Sequence, residues 1–346
     1  MKVIVTGAAG FIGCHVAARL LRKNATVIGL DNLSRAGSTS NLEWLHSQGG
    51  AFRFYHADIR SANDVERVFS AHRDADAVIH EAAQVAVTTA VADPRSDFEI
   101  NALGTFNVLE ATRLALQQGV RFLYASTNKV YGKMGHIKVS EQGRRYTYDA
   151  LPEGVSEAEP LDFHSPYGCS KGAAEQYVKD YSRIYGLRST VFRQSCIYGT
   201  RQFGIEDQGW VAWFTIAAVL GKQVTIFGDG KQVRDLLWVD DLVSLYLAAL
   251  AKPETTAGKV YNAGGGAANT LSLLELVSLI EARLGRPLNP LVTDWRPGDQ
   301  KIFIADCARL AEELDWKPRV SPEQGVNLLF DWVTAHRKTL EVLCNR

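Results

Sequence analysis

Tyr167 and Lys171 are residue types that together can take a proton from a hydroxyl group, and they stand four residues apart. On an α-helix that spacing places both side chains on one face, and the preceding Ser165-Pro166 suits the start of a helix. A lysine ammonium near a phenol favours the phenolate, so we expect the pKa of Tyr167 to lie below its reference value of about 10. Such a phenolate acts as a general base. A core tyrosine beside a solvated lysine would show the same spacing.

Thr127 supplies a hydroxyl at the end of a predicted strand. The apolar run 121–125 is typical of a buried strand, and Thr127 follows its carboxyl end. A hydroxyl at that place can hydrogen-bond the oxygen atom that reacts. Together with Tyr167 and Lys171, it indicates proton transfer at an alcohol.

A glycine-rich turn near the start of the chain predicts a dinucleotide site. Gly7, Gly10 and Gly13 lie between a β-branched run and an apolar helical stretch. They allow a tight turn, a close approach of the backbone to a pyrophosphate, and close packing of the helix on the sheet. The amides of the first helical turn, at Phe11 and Ile12, then face the phosphate charge.

Acidic residues after the next strands favour NAD as the cofactor. Asp31 ends the second predicted strand, where a carboxylate accepts from ribose hydroxyls and repels a 2′-phosphate. Arg35 lies nearby and weakens this exclusion of NADP. Asp58 and Ile59 follow the third predicted strand and suit the adenine edge. A structural turn with a surface aspartate is the alternative interpretation.

The first half of the chain alternates between strand and helix patterns. Apolar runs predict strands at 3–5, 26–30, 52–55, 77–80, 121–125 and 189–192. This alternation predicts an α/β fold with a Rossmann-type doubly wound parallel sheet, whose ligands bind beyond the carboxyl ends of the strands.

The pattern changes after about residue 195, where glycines separate shorter elements. One helix start is clear there, because Ser272 and Glu275 fit a capping box. We expect residues 1–195 to form mainly the NAD-binding domain and residues 196–346 mainly a smaller substrate-binding lobe. Some C-terminal segments are expected to return to the main sheet.

Composition narrows the class of protein. The 38 basic and 38 acidic residues cancel, so neither nucleic acid nor a membrane surface is indicated as a partner. Five scattered cysteines without a Cys-x-x-Cys pair indicate neither a disulfide framework nor a metal site. We see no signal peptide and no apolar run of the ~20 residues that a membrane span needs, so we expect a cytoplasmic protein.

The glycine turn, Thr127, Tyr167 and Lys171, in this chain order, resemble the extended short-chain dehydrogenase/reductase family, specifically its NAD-dependent nucleotide-sugar epimerases and dehydratases. The resemblance runs from Lys2 to about residue 335. It implies that the turn binds NAD, that Thr127, Tyr167 and Lys171 are catalytic, and that the last two also contact the cofactor. It also implies a nucleotide-diphosphate sugar as substrate.

The residues after Thr127 favour epimerisation. The 4,6-dehydratases of the family carry Asp-Glu where this chain has Asn128 and Lys129, which cannot shuttle protons as carboxyls do. Its decarboxylases usually carry Glu at the position of Lys129. Four stretches resemble the CDP-sugar 2-epimerases of the family: 126–132, 193–199, 201–203 and 207–210. The resemblance implies inversion of carbon 2 through a keto sugar, with hydride returned to the opposite face.

Further residues are expected to bind the substrate. Arg234 and Arg296 carry guanidinium groups suited to a diphosphate, and relatives use arginines in both motifs. Surface arginines paired with neighbouring aspartates are the alternative. Gln84 follows the fourth predicted strand and is expected to face the sugar, as is Thr127. Many relatives have Asn at Cys196, where it contacts the sugar diphosphate, so we expect the sugar to sit differently here.

Two other functions fit the same residues. A UDP-hexose 4-epimerase would use the same cofactor and base on another carbon. A non-catalytic NAD-binding protein would share the fold, but such proteins commonly lose the Tyr or Lys. The resemblance also implies a homo-oligomer, dimer or tetramer, that pairs through helices near residues 102–118 and 165–185.

Overall fold

The computed structural model describes residues 1–204, 206, 209–296 and 299–344. Residues 207–208, which belong to one of the stretches behind the resemblance, lie outside the described residues. The strands are β1 (Lys2–Thr6), β2 (Thr26–Asp31), β3 (Phe52–His56), β4 (Ala77–His80), β5 (Arg121–Thr127), β6 (Val139–Gln142), β7 (Arg145–Tyr148), β8 (Arg188–Gln194), β9 (Cys196–Tyr198), β10 (Thr225–Phe227), β11 (Val233–Trp238), β12 (Lys259–Ala263), β13 (Thr270–Ser272), β14 (Leu291–Thr293) and β15 (Ile302–Phe303).

The helices lie between these strands and after them. They are α1 (Phe11–Arg22), α2 (Ser38–Ser47), α3 (Ala62–Ala71), α4 (Val87–Ala92), α5 (Pro94–Phe98), α6 (Gly104–Ala115), α7 (Ser165–Tyr185), α8 (Trp210–Leu220), α9 (Val239–Ala251), α10 (Pro253–Thr256), α11 (Leu273–Leu284), α12 (Ala308–Leu314), α13 (Pro322–Ala335) and α14 (Arg337–Cys344). A π-helix spans Glu99–Leu103, and a 3-10 helix spans Asn128–Tyr131. Within the ranges described, no helix is both long and apolar enough to cross a membrane.

The main sheet has the strand order β12-β8-β5-β4-β1-β2-β3. Strand β1 pairs in parallel with both β2 and β4, and the chain order reverses between β1 and β4. Ligands of such sheets bind at the carboxyl ends of the strands near this reversal. Strand β4 is buried along its whole length, as a strand covered by helices on both faces must be. The predicted Rossmann-type parallel α/β sheet is confirmed.

Helix α7 carries Tyr167 and Lys171. Its first turn contains Pro166, whose missing N–H costs no helical hydrogen bond there, so the predicted helix start is confirmed. The helix ends at Gly186, whose φ of 67° is a left-handed conformation that stops helices. Both side chains are buried and therefore lie on the inner face of the helix.

The chain divides into two compact units, which differ from the predicted division at residue 195. The first comprises residues 1–130, 163–193 and 243–261, and the second comprises 131–162, 194–242 and 262–346. The segment 131–162 belongs to the second unit because its hairpin bonds there. The Tyr146 N–H donates to the Lys231 carbonyl (3.0 Å), and Arg145 pairs with Glu275 (2.7 Å).

The core of the first unit joins the sheet to helices α3, α6 and α7. Its buried side chains include Ile4, Ile28, Val78, Phe122 and Tyr124 from strands and Phe69, Val108 and Val178 from helices.

Strand β11 is central to the second unit and pairs with β9, β13 and β15. The predicted capping box before α11 is confirmed. Ser272 Oγ accepts from the Glu275 N–H (3.2 Å), and the Glu275 carboxylate accepts from the Ser272 N–H (2.8 Å).

Candidate active site

The glycine turn between β1 and α1 leaves no room for side chains at two of its positions. Gly7 has a φ of 68° and donates its N–H to the Leu30 carbonyl (2.7 Å). A Cβ on Gly7 would lie 2.7 Å from the Ala82 nitrogen, and a Cβ on Gly13 would collide with the Gly7 carbonyl. The turn therefore depends on glycine for both its backbone conformation and its packing.

A groove in the first unit runs along this turn. Gly10 caps the amino end of α1, and Phe11 and Ile12 form the first helical turn. First-turn amides have no partner inside a helix and attract phosphate. The groove lining includes Gly7, Gly10, Asp31, Arg35, Ile59 and Glu81. The backbone cradle and the nearby carboxylate fit a dinucleotide.

Asp31 holds the turn in place through backbone hydrogen bonds. Its carboxylate accepts from the Ala9 N–H (3.0 Å) and the Leu33 N–H (2.8 Å). Burial raises the pKa of Asp31, and the backbone bonds oppose that shift. Because each carboxylate oxygen accepts two hydrogen bonds, Asp31 retains acceptor capacity for ribose hydroxyls.

Asp58 and Ile59 follow β3 but have different surroundings. The Arg60 guanidinium bonds to the Asp58 carboxylate (2.7 Å) and holds the pKa of Asp58 at about 2. Asn32 Nδ2 also donates to this carboxylate (3.0 Å). Ile59 is 5% exposed and lies at the groove wall. The adenine contact expected of both residues stays a prediction, and Ile59 is the better placed of the two.

The Thr127 side chain at the end of β5 favours ionisation of the Tyr167 phenol on α7. Tyr167 is 8% exposed, and burial raises its pKa to about 12 despite this favourable interaction. The expectation that neighbouring charge lowers this pKa is wrong for the chain by itself. Desolvation of a buried phenolate outweighs the favourable interactions, and the nearby Asp97 carboxylate raises the pKa further.

Lys171 is buried beside the same strand. Its Nζ lies 4.4 Å from the centre of the Tyr124 ring. Burial lowers the pKa of Lys171 to about 8, whereas Glu81, Asp97 and Glu175 oppose that shift. At neutral pH the amine therefore carries a positive charge.

Gln84 is engaged by the protein. Its Nε2 donates to the Ala86 carbonyl (2.8 Å) and to Asp97 Oδ1 (3.1 Å), and its Oε1 accepts from the Ala86 N–H. Its backbone N–H donates to Asn101 Oδ1 (2.9 Å). The expected sugar contact stays a prediction, and the contacts observed assign Gln84 to the support of Asp97.

In the second unit, β9 and β11 bring Cys196 and Arg234 into electrostatic interaction. Burial raises the pKa of Cys196 to about 12, so the thiol is neutral, although the Trp210 side chain opposes that shift. The Arg234 guanidinium donates to the carbonyls of Val233 (2.8 Å) and Gln300 (2.8 Å). These bonds fix the arginine in one orientation.

Arg296 is held differently. Its guanidinium carbon lies 3.6 Å from the centre of the Phe227 ring. Stacking on an aromatic face leaves the edge of a guanidinium able to donate hydrogen bonds in its own plane. The geometry suits an arginine that meets an anion.

Comparison with known proteins decides the family. The family model described as the NAD dependent epimerase/dehydratase family matches residues 3–264. The chain belongs to this family.

Relatives of the epimerase/dehydratase family match nearly the whole chain. CDP-paratose 2-epimerase of Salmonella typhi is 46% identical over 97% of this chain and 100% of its own length. The structure of Thermotoga maritima UDP-glucose 4-epimerase with UDP-glucose is 34% identical, has a TM-score of 0.83, and covers 98% of this chain and 100% of that chain. The Thermus thermophilus UDP-glucose 4-epimerase complex with NAD is 32% identical, has a TM-score of 0.79, and covers 96% of this chain and 99% of that chain.

These findings confirm the predicted family, enzyme class and cofactor. The protein is an NAD-dependent enzyme of the epimerase/dehydratase family, whose members act on nucleotide sugars. The groove along the glycine turn fits the cofactor through its backbone amides and Asp31. Over the part of the chain that the structure describes, no group of three or more His, Cys, Asp or Glu could hold a metal ion.

Sequence reasoning missed the carboxylates around Lys171 in this epimerase/dehydratase site. Glu81 accepts from the Tyr246 hydroxyl (2.6 Å), and burial raises its pKa to about 7. The position of Glu81, an acidic residue directly after the apolar strand β4, could have indicated it from the sequence. Asp97 had no such signal, because its partner Ser170 is distant in sequence.

Proposed function

We propose that this enzyme inverts carbon 2 of a CDP-linked sugar and interconverts CDP-paratose and CDP-tyvelose. The observation that carries the proposal is the 46% identity to CDP-paratose 2-epimerase over 97% of the chain. The residues after Thr127 support it. Asn128 and Lys129 cannot perform the proton shuttle of a dehydration, whereas epimerisation needs only one general base.

Tyr167 is the proposed base. As the phenolate, which the Thr127 side chain favours, Tyr167 takes the proton from the 2-hydroxyl and becomes the phenol. Lys171 has a pKa of about 8, so its amine is charged at neutral pH. The role proposed for that charge, which the family resemblance implies, is to favour the phenolate. NAD, when bound, supplies the acceptor of a hydride from carbon 2 and the donor of a hydride to the opposite face of the keto sugar.

Thr127 and Tyr167 then return the site to its starting state. Thr127 is 6% exposed and donates to the carbonyl oxygen of the keto sugar. Tyr167 gives the proton back to that oxygen when the carbon is reduced. Because the proton and the hydride are both returned, the reaction involves no net oxidation.

The second unit supplies the proposed diphosphate contacts. Arg234 is oriented by two carbonyls and Arg296 by the Phe227 ring, so each has lost side-chain entropy before an anion arrives. Cys196 presents a neutral thiol, which cannot replace the two hydrogen bonds of an amide. This difference supports a sugar placement distinct from that of relatives with Asn at this position.

We also propose that the enzyme is a homo-oligomer that pairs through α6 and α7. Large apolar side chains are exposed on these two helices: Phe106 (38%), Leu114 (69%), Tyr177 (51%), Ile184 (66%) and Tyr185 (53%). Apolar surface of this extent on adjacent helices favours burial against another chain.

The test of the activity uses CDP-paratose labelled with deuterium at carbon 2 and purified protein without added NAD. We expect CDP-tyvelose that retains its deuterium, because one bound cofactor takes and returns the same hydride. Reduced cofactor should not accumulate. A parallel reaction with UDP-glucose tests whether the enzyme accepts a UDP-linked sugar and whether it inverts carbon 4 instead of carbon 2.

Three results would contradict the proposal. NADH formed in proportion to the sugar consumed would make the enzyme a dehydrogenase. UDP-galactose formed from UDP-glucose, without CDP-sugar turnover, would make it a 4-epimerase. Bound NAD without turnover of any nucleotide sugar would make it a non-catalytic binding protein.

A further inference from the structure

Asp97 lies at the centre of a buried hydrogen-bond network beside α7. It is 1% exposed. Its Oδ1 accepts from Gln84 Nε2 (3.1 Å) and Asn101 Nδ2 (3.0 Å), and its Oδ2 accepts from Ser170 Oγ (2.5 Å). Buried carboxylates are costly unless several donors meet them, and here the three donors are neutral. None of these three donors therefore neutralises the negative charge of the Asp97 carboxylate.

Ser170 connects this network to the catalytic residues. It stands three residues after Tyr167 and directly before Lys171, and its Oγ also lies 3.2 Å from the Tyr167 carbonyl. On the other side, Asn101 belongs to the π-helix Glu99–Leu103, a geometry often found at functional sites. The Asn101 Nδ2 lies 3.2 Å from Ser170 Oγ as well.

Asp97 differs from the other charged groups near the catalytic pair. The groups that act on the Tyr167 phenol are Thr127, Asp97 and Arg35, and those that act on Lys171 are Glu81, Asp97, Glu175 and His80. Glu175 is paired with the Arg193 guanidinium (2.7 Å). Asp97 acts on both members of the pair, and its charge raises the pKa of each.

We propose that Asp97 is a positioning residue for the catalytic pair: it holds α7 through its bond to Ser170, and its buried carboxylate charge, which only neutral donors meet, opposes ionisation of the Tyr167 phenol. The proposal rests on the assignment of Tyr167 as the base. It does not depend on which sugar is the substrate.

The variant Asp97→Asn distinguishes the effect of the carboxylate charge from the effect of its hydrogen bonds. The amide oxygen can accept from Gln84 and Asn101, and the amide NH2 can donate to Ser170 Oγ. The serine hydroxyl can then donate to the Tyr167 carbonyl, which it already approaches. The variant therefore keeps the network and removes the negative charge.

The readout is the alkaline titration of Tyr167, followed by tyrosinate absorbance of the protein as purified with its bound NAD. Subtracting the titration of a matched Tyr167→Phe protein isolates this phenol from the other tyrosines. We expect Asp97→Asn to move the midpoint to lower pH, by up to about one unit, since removal of a nearby like charge favours ionisation. Glu254→Gln is the control, because the Glu254 carboxylate pairs with the Arg188 guanidinium at the surface (2.9 Å).

A second variant tests the hydrogen bond through which Asp97 holds α7. Ser170→Ala keeps the carboxylate and removes its bond to α7, so the titration should stay in place. The kcat should fall by about tenfold, the cost of one lost hydrogen bond in the transition state, with KM little changed.

The outcomes decide the inference in either direction. An unchanged Tyr167 titration in Asp97→Asn would overturn the role of the charge. If that variant does not fold, an unchanged kcat in Ser170→Ala would overturn the role of the link. A wrong substrate assignment would leave the titration result as it is, so the two proposals fail independently.

Discussion

The Thr127 side chain favours ionisation of the Tyr167 phenol, and both residues are buried in the interior of the first unit. The interaction joins the carboxyl end of β5 to the first turns of α7. It lowers the pKa of Tyr167, but burial outweighs it and keeps the phenol neutral. The catalytic role assigned to Tyr167 therefore depends on charge supplied by its surroundings.

Tyr167→Phe should lower kcat by about 10²–10⁴-fold, the usual contribution of a positioned general base. The ring that packs beside Thr127 is retained, so the groove for NAD is unchanged. Cofactor content, measured by the absorbance of NAD released on denaturation, should match that of the parent enzyme. Tyr181→Phe is the matched control on the same helix, because its hydroxyl bonds to Glu110 (2.6 Å). Near-normal turnover in Tyr167→Phe would exclude this residue as the base.

Lys171 should set the alkaline limit of activity. Its amine has a pKa of about 8, so raising the pH through that value removes the charge that favours the phenolate. We expect kcat to fall over that interval, and Lys171→Met to abolish turnover at all pH values. A pH profile of kcat under saturating substrate is the measurement. A profile that stays flat well above pH 8 would show that the amine charge is not required.

The glycine turn and the Tyr-Lys pair were predictable because both are local patterns. Gly7 and Gly13 are required by contacts within one turn, and Tyr167 and Lys171 share a face through helical spacing alone. The sign of the Tyr167 pKa shift was not predictable. It depends on how much water the fold removes from around the phenol, and a spacing of residues does not report that.

The roles of Gln84 and Asp97 depend on long-range pairing. The sugar contact expected of Gln84, because it follows a strand, stays a prediction, whereas its amide bonds to Ala86 and Asp97 could not be foreseen. The contact between Asp97 and Ser170 joins residues 73 positions apart. Only the packing of α5 and the π-helix against α7 brings them together.

Charged substitutions on α6 and α7 should dissociate the proposed oligomer. Phe106 and Tyr177 contact each other through their rings, with centroids 5.8 Å apart, and both are partly exposed. Phe106→Glu and Ile184→Glu each place a charge where a partner chain would bury apolar surface. Light scattering on a sizing column should show a smaller species than the parent. Val292→Glu, at an exposed apolar residue of the second unit, should leave the mass unchanged, and an identical mass for all variants would place the interface elsewhere.

Glu81 should make the stability of the enzyme depend on pH. Burial raises the pKa of this carboxyl from 4.5 to about 7, so the folded state holds its proton more tightly than the unfolded chain. The stability linked to this proton is complete below about pH 4.5 and is lost as the pH rises through about 7. In Glu81→Gln, the amide oxygen can still accept from the Tyr246 hydroxyl (2.6 Å), but no buried charge forms. At mildly alkaline pH the variant should be more stable by on the order of 2 kcal/mol in urea unfolding, and the difference should shrink in acid.

Glu110→Gln is the opposite control, because the Arg113 bond lowers the pKa of Glu110 and its charge therefore stabilises the folded state. Equal stability of Glu81→Gln and the parent at alkaline pH would show that the Glu81 carboxylate is not penalised by its burial.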